Sequence, residues 1–178
     1  MNKGKPLKEK EFLLDLELSL RQIKDIQKLF HRFVHAVKNR IDADAACLLF
    51  KEAGGGELNR WIFKGDASLF DTQFIKNFAL KPKPGAPKNL LLSPVRVHER
   101  LVGIVGLRSN GREFRVGTGF KIRSCCRVLA KELTIRVEER ENRILDRLKE
   151  KVVGELRPID LAYQILDGLR HLVYYDHS

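Results

Sequence analysis

The sequence is short of the residues that cross-link, break or anchor a chain. Its three cysteines, Cys47, Cys125 and Cys126, are an odd number with two adjacent, which excludes a disulfide framework and points to reduced thiols. Six prolines and 13 glycines in 178 residues exclude a collagen-like or low-complexity chain. Long apolar runs are also missing. In the opening MNKGKPLKEKEFLLDLELSL the run FLL is broken at once by Asp15 and Glu17, too soon for a signal peptide or a membrane span. The expectation is a cytoplasmic protein. Acidic residues number 23 against 34 Lys and Arg, leaving a net charge of +11. A balance this basic attracts nucleic acid, anionic lipid or acidic protein in general. The cations are spread, however. They lie at Lys3, Lys5, Lys8 and Lys10, at Lys81, Lys83 and Lys88, and along a segment where Arg and Lys alternate with Glu.

What is present is globular: 43% hydrophobic and 32% charged residues, enough for one domain with helical extension. Apolar residues at Leu13, Leu16, Leu20, Ile23, Phe30, Phe33, Val37 and Ile41 recur at threes and fours, which predicts one helix from about Glu9 to Arg40. AACLLFKE and LNRWIFKG flank AGGGE and read as a hairpin. Asp66 is placed to cap a short helix carrying Phe70, Phe74 and Phe78, and KPKPGAP is a loop. LLLSPVRV and RLVGIVGL surround His98 and Glu99, a second hairpin in which Pro94 belongs at an edge or bulge. Gly103 and Gly106 remove side chains from one strand and permit close approach by another element.

Thr118 then caps a helix from about Gly119 to Val153, roughly 50 Å long at about 1.5 Å per residue and longer than a domain of this size is wide. Its outer part, with Val137, Ile144, Leu148 and Val152 in a sparse stripe, needs a partner, since a long isolated helix is marginal. With Leu20 and Ile23, these four are the candidate dimerisation residues. The final segment repeats the end of the first helix at an offset of 132: Leu29, Phe33, Val34, Val37, Ile41 and Asp44 fall opposite Leu161, Ile165, Leu166, Leu169, Val173 and Asp176. The boundaries that follow are a basic start over 1–15, a domain over 16–137, a connecting helix over 138–156, and the opening of a second, truncated copy over 157–178.

The stretch NLLLSPVRVHERLVGIVGLRSNGREF resembles the late core of the GAF domain family. That family shows a Pro, alternating apolar residues, a polar turn, an apolar pair, Gly, further apolar residues and Leu, then a loop ending in Phe. Pro94, Val95, Val97, Leu101, Val102, Gly103, Ile104, Leu107 and Phe114 fill the pattern. IDADAACLLF and LVYYDHS each resemble the approach to the family's first strand, and the likeness spans about Leu16 to Val137. PAS domains lack this terminal hairpin and long closing helix in this order. The resemblance implies an α+β fold: an antiparallel sheet of six or fewer strands, its terminal helices on one face and a small-molecule pocket on the other. It also implies dimerisation through the terminal helices and a signal passed along the connecting helix to an effector. Trp61, Phe63, Phe70, Phe74 and Phe78 are the candidate ligand-lining residues.

Departures are plain. The Asn-Lys-Phe-Asp-Glu signature of cyclic-nucleotide-binding members is not traceable. Cys126 is followed by Arg127 where bilin-binding members place a His, and the region from Gly65 to Lys88 is short. GAF-like methionine sulfoxide reductases carry their cysteines around the pocket, whereas 54–119 has none here. No Ser-His-acid set, P-loop or paired carboxylates stand out, so no catalytic residue is assigned. His31 and His35 share a helix face without a third ligand, so no metal is assigned either. No cofactor is identifiable beyond an unnamed small ligand. The leading expectation is a regulatory sensor or dimerisation module. Its rivals are a ligand-free scaffold and a basic adaptor for nucleic acid or acidic protein.

Overall fold

The computed structural model describes residues 5–51, 58–80, 87–153 and 158–173. Four strands form one antiparallel sheet: β1 (Ala45–Lys51), β2 (Leu58–Lys64), β3 (Leu90–Val97) and β4 (Arg100–Arg108), in the spatial order β2-β1-β4-β3. Both expected hairpins are present. Cys47 lies opposite Phe63 in the first, and Leu92 opposite Gly106 in the second. Pro94 falls on the edge strand β3, one residue before an irregularity at Val95/Arg96, where a missing amide donor costs no central ladder bond. The β3–β4 turn puts both His98 and Glu99 at positive φ, 46° and 64°. This is the hand that matches strand twist, adopted here without Gly or Asn.

The sequence predicts one helix over Glu9–Arg40, and the structure has two: α1 (Lys5–Arg21) and α2 (Ile26–Ile41). Asp25 starts α2 by accepting a hydrogen bond from the Lys28 amide at 2.7 Å. A left-handed Asp42 ends α2, its amide donating back to the Asn39 and Lys38 carbonyls. The break folds α1 back, so that Leu16 and Leu20 join Leu29, Phe33 and Val37 in one core. An uninterrupted helix would carry Leu16 and Leu20 away from that core.

Two further helices finish the domain. Asp66 caps a 3₁₀ turn (Ala67–Leu69), and Asp71 caps α3 (Thr72–Leu80), so Phe70 precedes α3 instead of riding on it. The long helix α4 spans Thr118–Val153, 36 residues as expected and about 54 Å at helical rise. A fifth helix, α5 (Pro158–Val173), turns back onto the end of α4, where a Cβ added to Gly168 would meet Leu148 Cδ2 at 2.8 Å. Of LVYYDHS, the stretch resembling a strand approach, Leu172 and Val173 end α5, and 174–178 lie outside the described residues.

The sheet thereby separates two apolar layers. On one face α2 covers β1 and β2, α4 covers β3, and α1 fills the space beside them. Ala46, Leu48, Val105 and Leu107 point into this layer and meet Ile122, Cys125, Cys126 and Leu129 of α4. That α4 set is spaced i, i+3, i+4, i+7, which is why a helix of low overall amphipathicity still docks firmly in its first three turns. The other face carries Ala45, Cys47, Leu49 and Ile104 beneath α3 and the 3₁₀ turn.

Candidate functional site

Strand alternation places Trp61 and Phe63 on the second face. They stack there with ring centroids 5.4 Å apart and planes 6° from parallel. Phe63 in turn meets Phe70 at 6.0 Å. Phe74 and Phe78 come from α3 at helical spacing onto the same cluster. All five sequence-predicted aromatics are therefore brought together. Phe70 is buried, while Trp61, Phe63, Phe74 and Phe78 are only half-buried. Gly106 makes the inner wall possible, because a Cβ there would lie 2.7 Å from Cys47 Sγ and 3.4 Å from Phe70 Cε1. Sequence reasoning missed Ile75, fully buried under α3, and Cys47 and Ile104 as the floor of this layer. Strand parity, read through both hairpins, would have found the last two.

The thiols offer no nucleophile. Burial pushes Cys47 and Cys126 up to about 12 and Cys125 up to about 11. Each is protonated at neutral pH, where thiol chemistry needs the thiolate. Cys47 also lies on the opposite sheet face from the other two. His31 is exposed, and His35 shares a 3.2 Å hydrogen bond with Asn39. Among the described residues no group of three His, Cys, Asp or Glu converges on one point, and no helix is long and apolar enough to cross a membrane.

The candidate pairing residues divide. Leu20 is fully buried inside the chain, and Ile23 packs on the same core. Val137, Ile144 and Leu148 are half-buried along the outer part of α4, and Leu148 faces α5. The side chain of Val152 lies outside the described residues. Beside this stripe Leu145 is 44% exposed and Leu166 of α5 is 62% exposed.

Where α4 leaves the sheet, a charged clasp ties it to the α1–α2 elbow. Arg136 donates from Nη1 to the Lys24 carbonyl at 3.0 Å and from Nη2 to the carbonyls of Leu20 and Ile23. Its Nε donates to Glu132 Oε1 at 3.2 Å. Glu132 is only 3% exposed, with Arg21 Nε 3.8 Å from its other oxygen. The guanidinium thus satisfies the Ile23 and Lys24 carbonyls of the elbow and adds a second donor to Leu20, whose carbonyl already accepts from the Ile23 amide. One turn earlier Lys131 reaches Glu17 at 2.7 Å, which holds that carboxylate below its usual range. At the opposite end, Asp44 accepts hydrogen bonds from the Asn110 amide (2.8 Å) and Ser109 hydroxyl (3.1 Å), which lower its pKa. An open depression of about 280 Å³ beside that loop is lined by Lys88, Asn89, Gly111, Arg112 and Glu113.

No protein-family model matches the chain, and no curated protein matches it. Solved structures do. The GAF domain of a phosphoenolpyruvate-protein phosphotransferase from Coxiella burnetii superposes with a TM-score of 0.55 at 12% identity, over 76% of this chain and 98% of that one. The GAF domain of a candidate sensor histidine kinase from Pseudomonas syringae pv. tomato gives 0.54 at 16% identity, over 82% and 94%. The phosphotransferase GAF domain from Acinetobacter gives 0.51 at 9% identity, over 68% and 90%. At these identities the likeness is one of fold. The chain has a GAF-like α+β fold.

Proposed function

With the GAF-like fold as premise, we propose that the chain is a cytoplasmic regulatory module of signal transduction. It pairs with a second copy through the outer part of α4 and relays its state along that helix to a downstream effector. The observation that supports this reading is α4 itself. Its first half is built into the sheet core, its middle is clasped to the α1–α2 elbow through Arg136, and its outer half keeps an apolar stripe half-covered. A helix fixed at one end and paired at the other transmits a shift of the domain as a rigid element. The contact is expected to involve Val137, Ile144 and Leu145, with Leu148 sharing its cover with α5. Analytical ultracentrifugation of the chain and of Val137→Asp/Ile144→Asp tests the reading: a dimer that becomes a monomer supports it, and an unchanged sedimentation coefficient defeats it.

A second reading adds a small ligand at the aromatic layer. It is favoured by the incomplete burial of Trp61, Phe63, Phe74 and Phe78, which leaves ring surface available beside a formed floor. The buried, protonated thiols give no support to a thiol enzyme. Native mass spectrometry tests the ligand directly: a mass above that of the polypeptide supports the sensor, and bare polypeptide after mild purification leaves the pairing scaffold.

A further inference from the structure

From Phe114 to Lys131 the chain has 18 residues with no Asp or Glu and five cations: Arg115, Lys121, Arg123, Arg127 and Lys131. This segment forms the turn into α4 and its first helical turns. The apolar stripe Ile122, Cys125, Cys126 and Leu129 faces the core. Phe114, Val128 and Ala130 pack beside that stripe, and the exposed positions between them are not simply solvated charge. Val116 is fully exposed, and Phe120 is 57% exposed on the same helix side as Arg123 and Arg127. Lys131 is held by Glu17, but Arg115, Lys121, Arg123 and Arg127 have no ion pair among the described residues.

The surroundings add positive charge to this end of the domain. Arg40, at the end of α2, donates to the Lys8 carbonyl at 3.1 Å and lies over the Phe12 ring at 4.9 Å. The start of α1, from Lys8 to Phe12, is thereby held against the end of α2. The nearby acids are Glu113, 3.4 Å from Lys88, Asp42 and Asp44, which share Arg112 at 3.5 and 3.7 Å, and Glu9 of α1, close enough to act on Cys125.

We propose that the outward face of the first three turns of α4, with the turn before it, is a docking surface for an anionic lipid bilayer. Phe120 and Val116 enter the headgroup boundary, and Arg115, Lys121, Arg123 and Arg127 contact the acidic headgroups. Cations ringing exposed apolar side chains are the composition of an interfacial helix. Nucleic acid would use the cations and Phe120, but it offers nothing to a fully exposed aliphatic side chain. The free face also explains why the segment carries no acid at all, which helix stability does not require.

Cosedimentation of the full chain tests the surface. The vesicles are phosphatidylcholine alone and phosphatidylcholine with about a third phosphatidylglycerol. Binding is expected to the anionic vesicles only. Val116→Ser/Phe120→Ser should weaken it by about tenfold, and Arg123→Gln and Arg127→Gln by about fivefold each. Because these side chains point to solvent, circular dichroism and the melting temperature should not change. Absence of binding to the anionic vesicles overturns the proposal, as does binding that all these variants retain. Duplex DNA binding that survives Val116→Ser/Phe120→Ser, with no vesicle binding, would assign the face to nucleic acid instead.

Discussion

Removing the Arg136 guanidinium while keeping its stem, as in Arg136→Met, isolates the clasp between α4 and the α1–α2 elbow. The change leaves Glu132, at 3% exposure, facing only Arg21 at 3.8 Å, and removes the side-chain donor from the carbonyls of Ile23 and Lys24, while Leu20 keeps the Ile23 amide. Breaking one side of a buried ion pair costs about 3–5 kcal/mol. Arg136 is 21% exposed, so water can partly replace it, and the low end, about 3 kcal/mol, is expected. For a chain of this size that corresponds to a loss of about 6–12 °C in Tm. Urea unfolding followed by fluorescence of Trp61, the sole tryptophan, measures the cost. Glu132→Leu with Arg136→Met removes both charges and should recover at least half of the loss, because a vacated buried pair tolerates apolar replacement. Hydrogen exchange should speed up in α1 before the sheet. A single-variant cost below about 1 kcal/mol, or a double variant as unstable as the sum of the singles, would refute a coupled clasp.

Other consequences are equally concrete. His98→Asn/Glu99→Gly relieves two left-handed non-glycine residues and should raise stability by about 1 kcal/mol, read as a Tm gain of about 2–4 °C. Gly106→Ala drives a methyl to 2.7 Å from Cys47 Sγ and should cost about 1–3 kcal/mol in urea unfolding, with partial recovery in Gly106→Ala/Cys47→Ala. Asp44 has a folded pKa below its unfolded value, so its contribution is present above the unfolded carboxyl range and is lost as pH falls through the lowered folded value. Asp44→Asn should therefore flatten the acid limb of a stability–pH profile, while wild type loses stability on acidification below about pH 4.

Much of the architecture could be read from local pattern. Period-two alternation in AACLLFK and LNRWIFK set Trp61 and Phe63 on one face, because successive strand residues must point to opposite sides. Local pattern also set the length of α4 within a residue. The five aromatics converge as their periods imply, yet Cys47, Ile75 and Ile104, which complete that layer, were not read as part of it. Each looks like ordinary core until the sheet order is known. The free cationic face of α4 also left a trace in the sequence, the absence of acid from Phe114 to Lys131, but exposure was needed to give it meaning.

The sequence by itself determined the two hairpins and the capping role of Asp66, since strand alternation and a neighbouring carboxylate decide them locally. Only the tertiary structure decided the break at 22–25. No Pro or Gly marks it, and its carbonyls are taken by Arg136, more than a hundred residues away along the chain. For α5, Gly154 and Pro158 mark in the sequence where α4 stops, and tertiary packing of Gly168 on Leu148 decides that α5 returns along it. At 22–25 helix periodicity runs on unchanged, and a long-range contact selects where the chain turns.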